Sequence, residues 1–239
     1  MKLLDFFDRI YIVNLPERSD RRREMNAELA RLGLMVDGKR IRYFRAVRPA
    51  DAGDFPSLGA RGCFMSHLEI LREARRDGLG NVLVMEDDLS IDLRLAEAQP
   101  EMLSQLQTRD WDFAYIGHVE NSDALAQPVW QVSNSPMATT HCYALSHRAI
   151  GEVLEHLEAC LTRTPGHPLG SPMHVDGAYS LLRMRAQHLK TLMAVPSLGG
   201  QRSSRSDIYP NKWYDRLPFF QQLAGLARGG KNWVGRFAN

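Results

Sequence analysis

Glu86, Asp87 and Asp88 follow directly on Val82-Leu83-Val84-Met85, an apolar run that reads as a buried strand. Parallel strands of α/β proteins are covered on both faces and read as unbroken apolar runs, and ligands gather beyond their carboxyl ends. Three adjacent carboxylates there repel one another unless water, hydrogen bonds or a cation compensates them. The chemistry open to such a group is to hold a hard divalent cation through oxygen ligands and, with it, a phosphate-bearing substrate. A solvated acidic loop or a helix cap is the competing reading, and the octapeptide by itself leaves both open.

The acids need elements to position them. Residues 10–14 read as a short apolar strand, and Leu15-Pro16-Glu17-Arg18-Ser19 turns it into a helix that Ser19 can cap. Met25, Leu29 and Leu32 give that helix one buried stripe, and Gly33 is placed to end it. A second strand is expected over 41–47, a loop over 49–58, and a helix over 63–76 with Phe64, Leu68 and Leu71 on one face and Gly78 as its stop. Strand and helix thus alternate over residues 10–88, the pattern of right-handed βαβ crossovers in a parallel sheet. Asn14 and Asp88 then share the carboxyl-end rim. If the acids continue the strand, Glu86 and Asp88 point one way and Asp87 the other. Farther on, strands are expected over 113–117, 139–145 and 189–195, and helices over 148–161 and 176–184, joined by loops rich in Ser, Pro and Gly.

The 239 residues, 44% hydrophobic and 24% charged, describe an ordinary globular α/β domain without repeats or low-complexity tracts. The formal charge of +2 is uneven: residues 201–239 carry seven Lys or Arg against two Asp, so the preceding 200 residues carry a net −3. The basic tail also holds Trp213, Tyr214, Phe219, Phe220, Trp233 and Phe237. It reads either as a segment lying on an anionic membrane surface or as a helix packed on the domain. No compact basic stripe in the body calls for nucleic acid. Cys63, Cys142 and Cys160, odd in number and widely spaced, fit reduced thiols. No signal peptide or apolar span is evident, so the expected location is the cytoplasm, with peripheral contact at the inner face of the inner membrane through the tail.

Four ordered segments resemble glycosyltransferase family 25, typified by lipooligosaccharide galactosyltransferases and related to collagen galactosyltransferases. They are Ile12-Val13-Asn14-Leu15-Pro16-Glu17-Arg18-Ser19-Asp20-Arg21-Arg22; Leu58-Gly59-Ala60-Arg61-Gly62-Cys63-Phe64-Met65-Ser66-His67, followed by the acid triplet; Thr140-His141-Cys142-Tyr143-Ala144-Leu145-Ser146; and Val175-Asp176 with Pro196 and then 201–208. The match spans 10–208 and leaves the tail outside. The joint occurrence of four segments in order is far more specific than any one of them.

The resemblance implies a GT-A type fold, with a Rossmann-like, mostly parallel sheet flanked by helices, over 1–208. A nucleotide-binding half is expected over about 1–120 and an acceptor half over about 121–208, followed by the basic aromatic extension 209–239. It also implies transfer of a hexose, often galactose, from a UDP-sugar to a hydroxyl of a lipopolysaccharide or other surface glycan, with inversion, assisted by Mn²⁺ or Mg²⁺. By analogy with acidic motifs of that fold, Asp88 is the metal ligand and Asp87 the ribose contact, while Glu86 serves the nucleotide or supports the site. Asn14, Arg18 and Arg21 are expected at the uracil and diphosphate, with Arg22 and Arg23 on a solvated helix face. Ser66, His67 and His141 become site residues through the match, although buried structural roles suit them equally. The base that takes the acceptor's proton is expected to be Asp176, with Asp112 and Glu120 as alternatives. Arg202, Ser203, Ser204, Arg205 and Ser206 read as a loop able to cover the diphosphate or as an ordinary mobile loop. A nucleotide-sugar-binding module of the same fold without catalytic activity is the alternative function.

Overall fold

The computed structural model describes residues 2–97, 99–120 and 127–202. The extension at 209–239, and the serines and Arg205 of the expected diphosphate loop, lie outside the described residues. The order of elements is a 3-10 turn (Leu3–Phe6), β1 (Arg9–Asn14), α1 (Ser19–Arg31), β2 (Ile41–Arg45), α2 (Leu58–Arg76), β3 (Asn81–Glu86), β4 (Leu89–Ile91), α3 (Arg94–Glu97), α4 (Gln99–Thr108), β5 (Phe113–Gly117), β6 (Val129–Val132), β7 (Cys142–Ser146), α5 (His147–Thr162), α6 (Val175–Arg185), β8 (Thr191–Val195) and β9 (Gly199–Gln201).

Seven strands form one sheet in the order β2-β1-β3-β7-β5-β8-β6, and β4 pairs with β9 in a separate two-stranded sheet. β1 runs parallel to β2 and β3, as the alternating pattern of 10–88 requires. β7 is antiparallel to both β3 and β5, β8 is parallel to β5, and β6 is antiparallel to β8. Five strands therefore point one way and two the other. This is the Rossmann-like, mostly parallel α/β architecture flanked by helices that a GT-A type chain should have. The reversed β7 brings its amino end, with Thr140 and His141 just before it, to the same rim as the carboxyl ends of β1, β3 and β5.

Strand side chains alternate between two cores. Ile10, Ile12, Leu83, Met85, Ala114 and Ile116 face a core completed by Met25 and Leu29 of α1 and Met102 and Leu106 of α4. Tyr11, Val82, Val84, Phe113, Tyr115 and Tyr143 face the other, completed by Phe64, Leu68 and Leu71 of α2, Val153 and Leu157 of α5 and Tyr179 of α6.

Helix boundaries follow backbone chemistry. Ser57 caps α2, its hydroxyl accepting from Ala60 N at 3.0 Å, so the helix begins five residues ahead of the expected 63. Ser19, expected as a cap, is instead the first residue of α1, with Arg18 at the N-cap position. Gly33 (φ +70) and Gly78 (φ +63) adopt the left-handed conformation that ends α1 and α2, a region costly for residues with a Cβ. β4, α3, α4, β6 and β9 add to the elements expected from sequence. β4, β6 and β9 are three or four residues long, too short to show a period, and β6 has two exposed residues.

Candidate active site

Asn14 is the last residue of β1 and is 1% exposed. Its Nδ2 donates to Asp87 Oδ2 at 2.6 Å and, at 3.3 Å, to the Arg18 carbonyl. Its Oδ1 accepts from Arg22 Nε, and the Arg22 guanidinium lies over the Tyr43 ring at 4.9 Å from the centroid. Arg22 is therefore a component of the site's wall; the solvated role assigned to it from sequence is incorrect. Polarity alone gave no signal, because an arginine that stacks and bonds inward has the same spacing as one that does not.

Arg21, one turn into α1, donates to Asp87 Oδ1 at 2.8 Å and lies 3.6 Å from Asp88 Oδ2. One guanidinium nitrogen thus reaches both aspartates. The expected alternation of the acids fails for a local reason: β3 ends at Glu86, and Asp87 and Asp88 form the turn into β4. Asp87 receives a donor on each oxygen. Asp88 Oδ1 is buried and has no hydrogen-bond partner. Burial raises the Asp88 carboxyl above its usual range, with Arg21 opposing and Asp87 adding to the rise.

Arg202 buttresses this turn from behind. Its guanidinium donates to the carbonyls of Leu89 and Asp87, each at 2.9 Å, its backbone N donates to the Asp88 carbonyl at 2.8 Å, and Glu24 lies 3.4 Å away. In this arrangement Arg202 holds the acids, which differs from the covering role expected for its loop. Arg18 is engaged by Asp20, with 2.8 Å between Nη2 and Oδ2, and this pairing holds the Asp20 carboxyl well below its usual range.

Glu86 sits at the deep end. Its Oε2 accepts from Gln201 Nε2 at 3.2 Å and its Oε1 from Thr140 Oγ at 3.5 Å. Burial, then the charges of Asp88, Asp87 and Asp176, push its carboxyl up to about 8. Asp176 is the second residue of α6 and is 8% exposed; its Oδ1 accepts from Gly177 N at 2.8 Å. Burial pushes its carboxyl up to about 7, and its charge is felt at Glu86 and at Cys63. Asp176 therefore joins the rim that carries the triplet. The alternative base Asp112 does not: it lies at the opposite end of β5, fully buried, accepting from both Nε and Nη2 of Arg148 and from Lys190 N.

Ser66, His67 and His141 make internal contacts. Ser66 donates to the Gly62 carbonyl at 2.6 Å and accepts from Val47 N at 2.8 Å, which fastens the chain after β2 to α2. A Cβ on Gly62 would meet the Val47 carbonyl at 2.9 Å, so the same contact requires glycine. His67 Nδ1 lies 2.7 Å from the Tyr143 hydroxyl, itself 2.9 Å from that of Tyr179. His141 Nε2 donates to the Gly199 carbonyl at 3.1 Å, and the His141 carbonyl accepts from Glu86 N, so this residue joins β7, β9 and the end of β3.

The residues brought together at one rim are thus Asn14, Arg21, Glu86, Asp87, Asp88, His141 and Asp176. The buried, partnerless Asp88 oxygen beside a second carboxylate fits a hard cation that keeps most of its ligands as water or substrate oxygens.

A sequence profile for glycosyltransferase family 25 (LPS biosynthesis protein) matches residues 7–163, more than half of the chain. The chain belongs to glycosyltransferase family 25. Procollagen galactosyltransferase 1 of Danio rerio is 31% identical over 129 residues, covering 46% of this chain and 21% of the relative. Procollagen galactosyltransferase 2 of Homo sapiens is 26% identical over 188 residues, covering 71% of this chain and 29% of the relative. Inactive glycosyltransferase 25 family member 3 of Homo sapiens is 27% identical over 129 residues, covering 46% and 22%. The family-25 chain thus corresponds to less than a third of the length of each of these relatives. Among its described residues no helix is long and apolar enough to cross a membrane.

Proposed function

We propose that this family-25 chain is an inverting, metal-dependent transferase that moves a hexose, galactose in the first instance, from a UDP-sugar to a hydroxyl of a lipopolysaccharide or related surface glycan. The observation that carries the reading is the acid triplet itself. Asp87 is locked by Asn14 and Arg21, whereas Asp88 presents a buried oxygen with no partner. Asp88 would hold Mn²⁺ or Mg²⁺, which supplies Lewis-acid stabilisation of the leaving diphosphate, with Glu86 supporting the site. Asn14, Arg18, Arg21 and Asp87 would line the nucleotide. His141 supports this site through its carbonyl bond to Glu86 N, and Ser66 through the loop it fastens.

The acceptor hydroxyl approaches on the sugar face opposite UDP. Its oxygen forms the new bond to the anomeric carbon as the bond to the β-phosphate oxygen breaks and its electron pair leaves with UDP. The hydroxyl proton passes to the Asp176 carboxylate, whose raised pKa suits a base working near neutrality. The galactosyltransferase names of two relatives support the choice of sugar.

The test is calorimetry of the full chain with UDP, with and without Mn²⁺, followed by a donor panel of UDP-Gal, UDP-Glc, UDP-GlcNAc and UDP-GalNAc scored by hydrolysis. Absence of UDP binding in the presence of Mn²⁺ overturns the proposal. A second reading, a nucleotide-sugar-binding module without activity, is favoured by the relative named inactive. Binding of UDP without turnover of any donor would select it.

A further inference from the structure

The interior wall of the site carries a second set of donors with a different character. Cys63 and His67 stand four residues apart on α2 and so share one face of the helix. Glu86 at the end of β3 faces them. The Cys63 sulfur, a His67 ring nitrogen and a Glu86 carboxylate oxygen all lie within 4.8 Å of one another. Around a tetrahedral ion with bonds of 2.0–2.3 Å, ligand atoms stand about 3.5 Å apart. Closing the gap takes adjustments of about an ångström.

The surroundings favour a ligand there. His67 is fully buried, yet its Nε2 has no hydrogen-bond partner. Its Nδ1 is bonded to the Tyr143 hydroxyl, the Tyr143 ring stacks on the imidazole, and Tyr179 bonds Tyr143 in turn. Such an oriented chain behind one ring nitrogen is the usual support of a metal-binding histidine. Gln201 and Thr140 hold the Glu86 carboxylate in the same way. Against these, burial together with the charges of Glu86, Asp176 and Asp88 drives the Cys63 thiol well above its ordinary range, so an ion must displace a proton to bind and binding tightens as pH rises. A cation would also relieve the mutual repulsion of the acids.

We propose that Cys63, His67 and Glu86 form a binding site for a borderline-soft divalent transition metal ion of the Zn²⁺ class, with one coordination position left open toward the acid triplet. The mixed sulfur, nitrogen and oxygen donor set separates it from the all-oxygen cation position at Asp88, because thiolate and imidazole select Zn²⁺ or Co²⁺ over Mg²⁺ and Mn²⁺. This site does not depend on the transfer reaction.

The test is titration of the chelator-treated full chain with Co²⁺ alone in mildly alkaline buffer, followed by ultraviolet and visible absorption. The expected result is a thiolate-to-cobalt charge-transfer band that saturates at one ion per chain and is bleached by stoichiometric Zn²⁺. The band should vanish in Cys63→Ser, persist in Asp88→Asn, and require at least about tenfold more Co²⁺ in Glu86→Gln. No band in the wild-type chain overturns the proposal. So does a band that survives Cys63→Ser, which would assign it to Cys142 or Cys160, or one lost in Asp88→Asn, which would merge the two sites. Should Cys63→Ser fail to fold, the wild-type band and its response to Glu86→Gln decide the matter.

Discussion

Asn14 Nδ2 donates to Asp87 Oδ2 across 2.6 Å, which ties the last residue of β1 to the turn leaving β3. Both residues are almost wholly buried, and each is held by a further side chain, Arg22 on Asn14 and Arg21 on Asp87, while Asn14 also donates to the Arg18 carbonyl. Two neighbouring strands and the first turns of α1 are thereby joined by one polar network. Asp87 is stabilised as part of the scaffold, and Asp88 is left as the acid with an unused oxygen.

Replacing Asn14 with Ala removes a donor from Asp87 and an acceptor from Arg22 in a buried setting. Loss of about 1–3 kcal/mol is expected, read as a lower urea midpoint at unchanged slope. Asp87→Ala should cost a similar amount, and the double variant should cost less than the sum. Strict additivity of the two would show that the bond contributes no coupling.

Asp88→Asn should behave in the opposite sense. Burial and Asp87 disfavour the charge on Asp88, so removing that charge should leave the chelator-treated protein at least as stable as the parent. The same variant should lose Mn²⁺-dependent UDP binding. Thermal melts in chelator and calorimetry with Mn²⁺ measure the two effects separately; a melting temperature that falls in chelator would contradict the first, and retained UDP binding the second.

The β-α-β-α-β half of the sheet was legible because each of its strands is a short apolar run and each helix carries a stripe ended by glycine. The true start of helix α2, five residues ahead of its stripe, is not legible because its first turn, Leu58-Gly59-Ala60-Arg61-Gly62, has two glycines and no stripe, and only the Ser57 cap marks its start. The antiparallel course of β7 was not legible, since a strand buried on both faces carries no sign of direction. Within the site, Asn14 and the triplet stood out by position at strand ends. The roles of Arg22, Gln201 and Arg202 did not, because they depend on partners on other elements: the Asn14 amide and Tyr43 ring for Arg22, the Glu86 carboxylate for Gln201, and the Asp87 and Leu89 carbonyls for Arg202.

Ser66 gives a contrasting case. Its hydroxyl serves Gly62 and Val47, so Ser66→Ala strands a backbone N–H and should cost about 1–3 kcal/mol. UDP affinity of the folded variant should stay within twofold of the parent at a temperature well below its melt. A tenfold loss of affinity in protein that melts normally would move Ser66 into the nucleotide site.

Asp176 connects stability and activity through pH. Burial lifts its carboxyl from 3.8 to about 7 in the folded chain, so the folded state binds this proton more tightly than the unfolded state. Below pH 3.8 both states carry the proton and its stabilising contribution is fully present. Between 3.8 and about 7 the unfolded chain has released it while the folded chain retains it, so stability falls with rising pH by up to about 1.4 kcal/mol per unit. Above about 7 this contribution is gone and the slope from Asp176 ends. Asp176→Asn should flatten that part of the stability profile measured by urea unfolding in chelator. Activity should run the other way, because a base must be ionised to take the acceptor proton: kcat/KM should climb with pH through about 7 and lose that limb, with most of its magnitude, in Asp176→Asn. A rate profile flat across this range, alongside a stability profile that Asp176→Asn does flatten, would leave Asp176 as a buried acid of the fold and return the search for the base to Glu120.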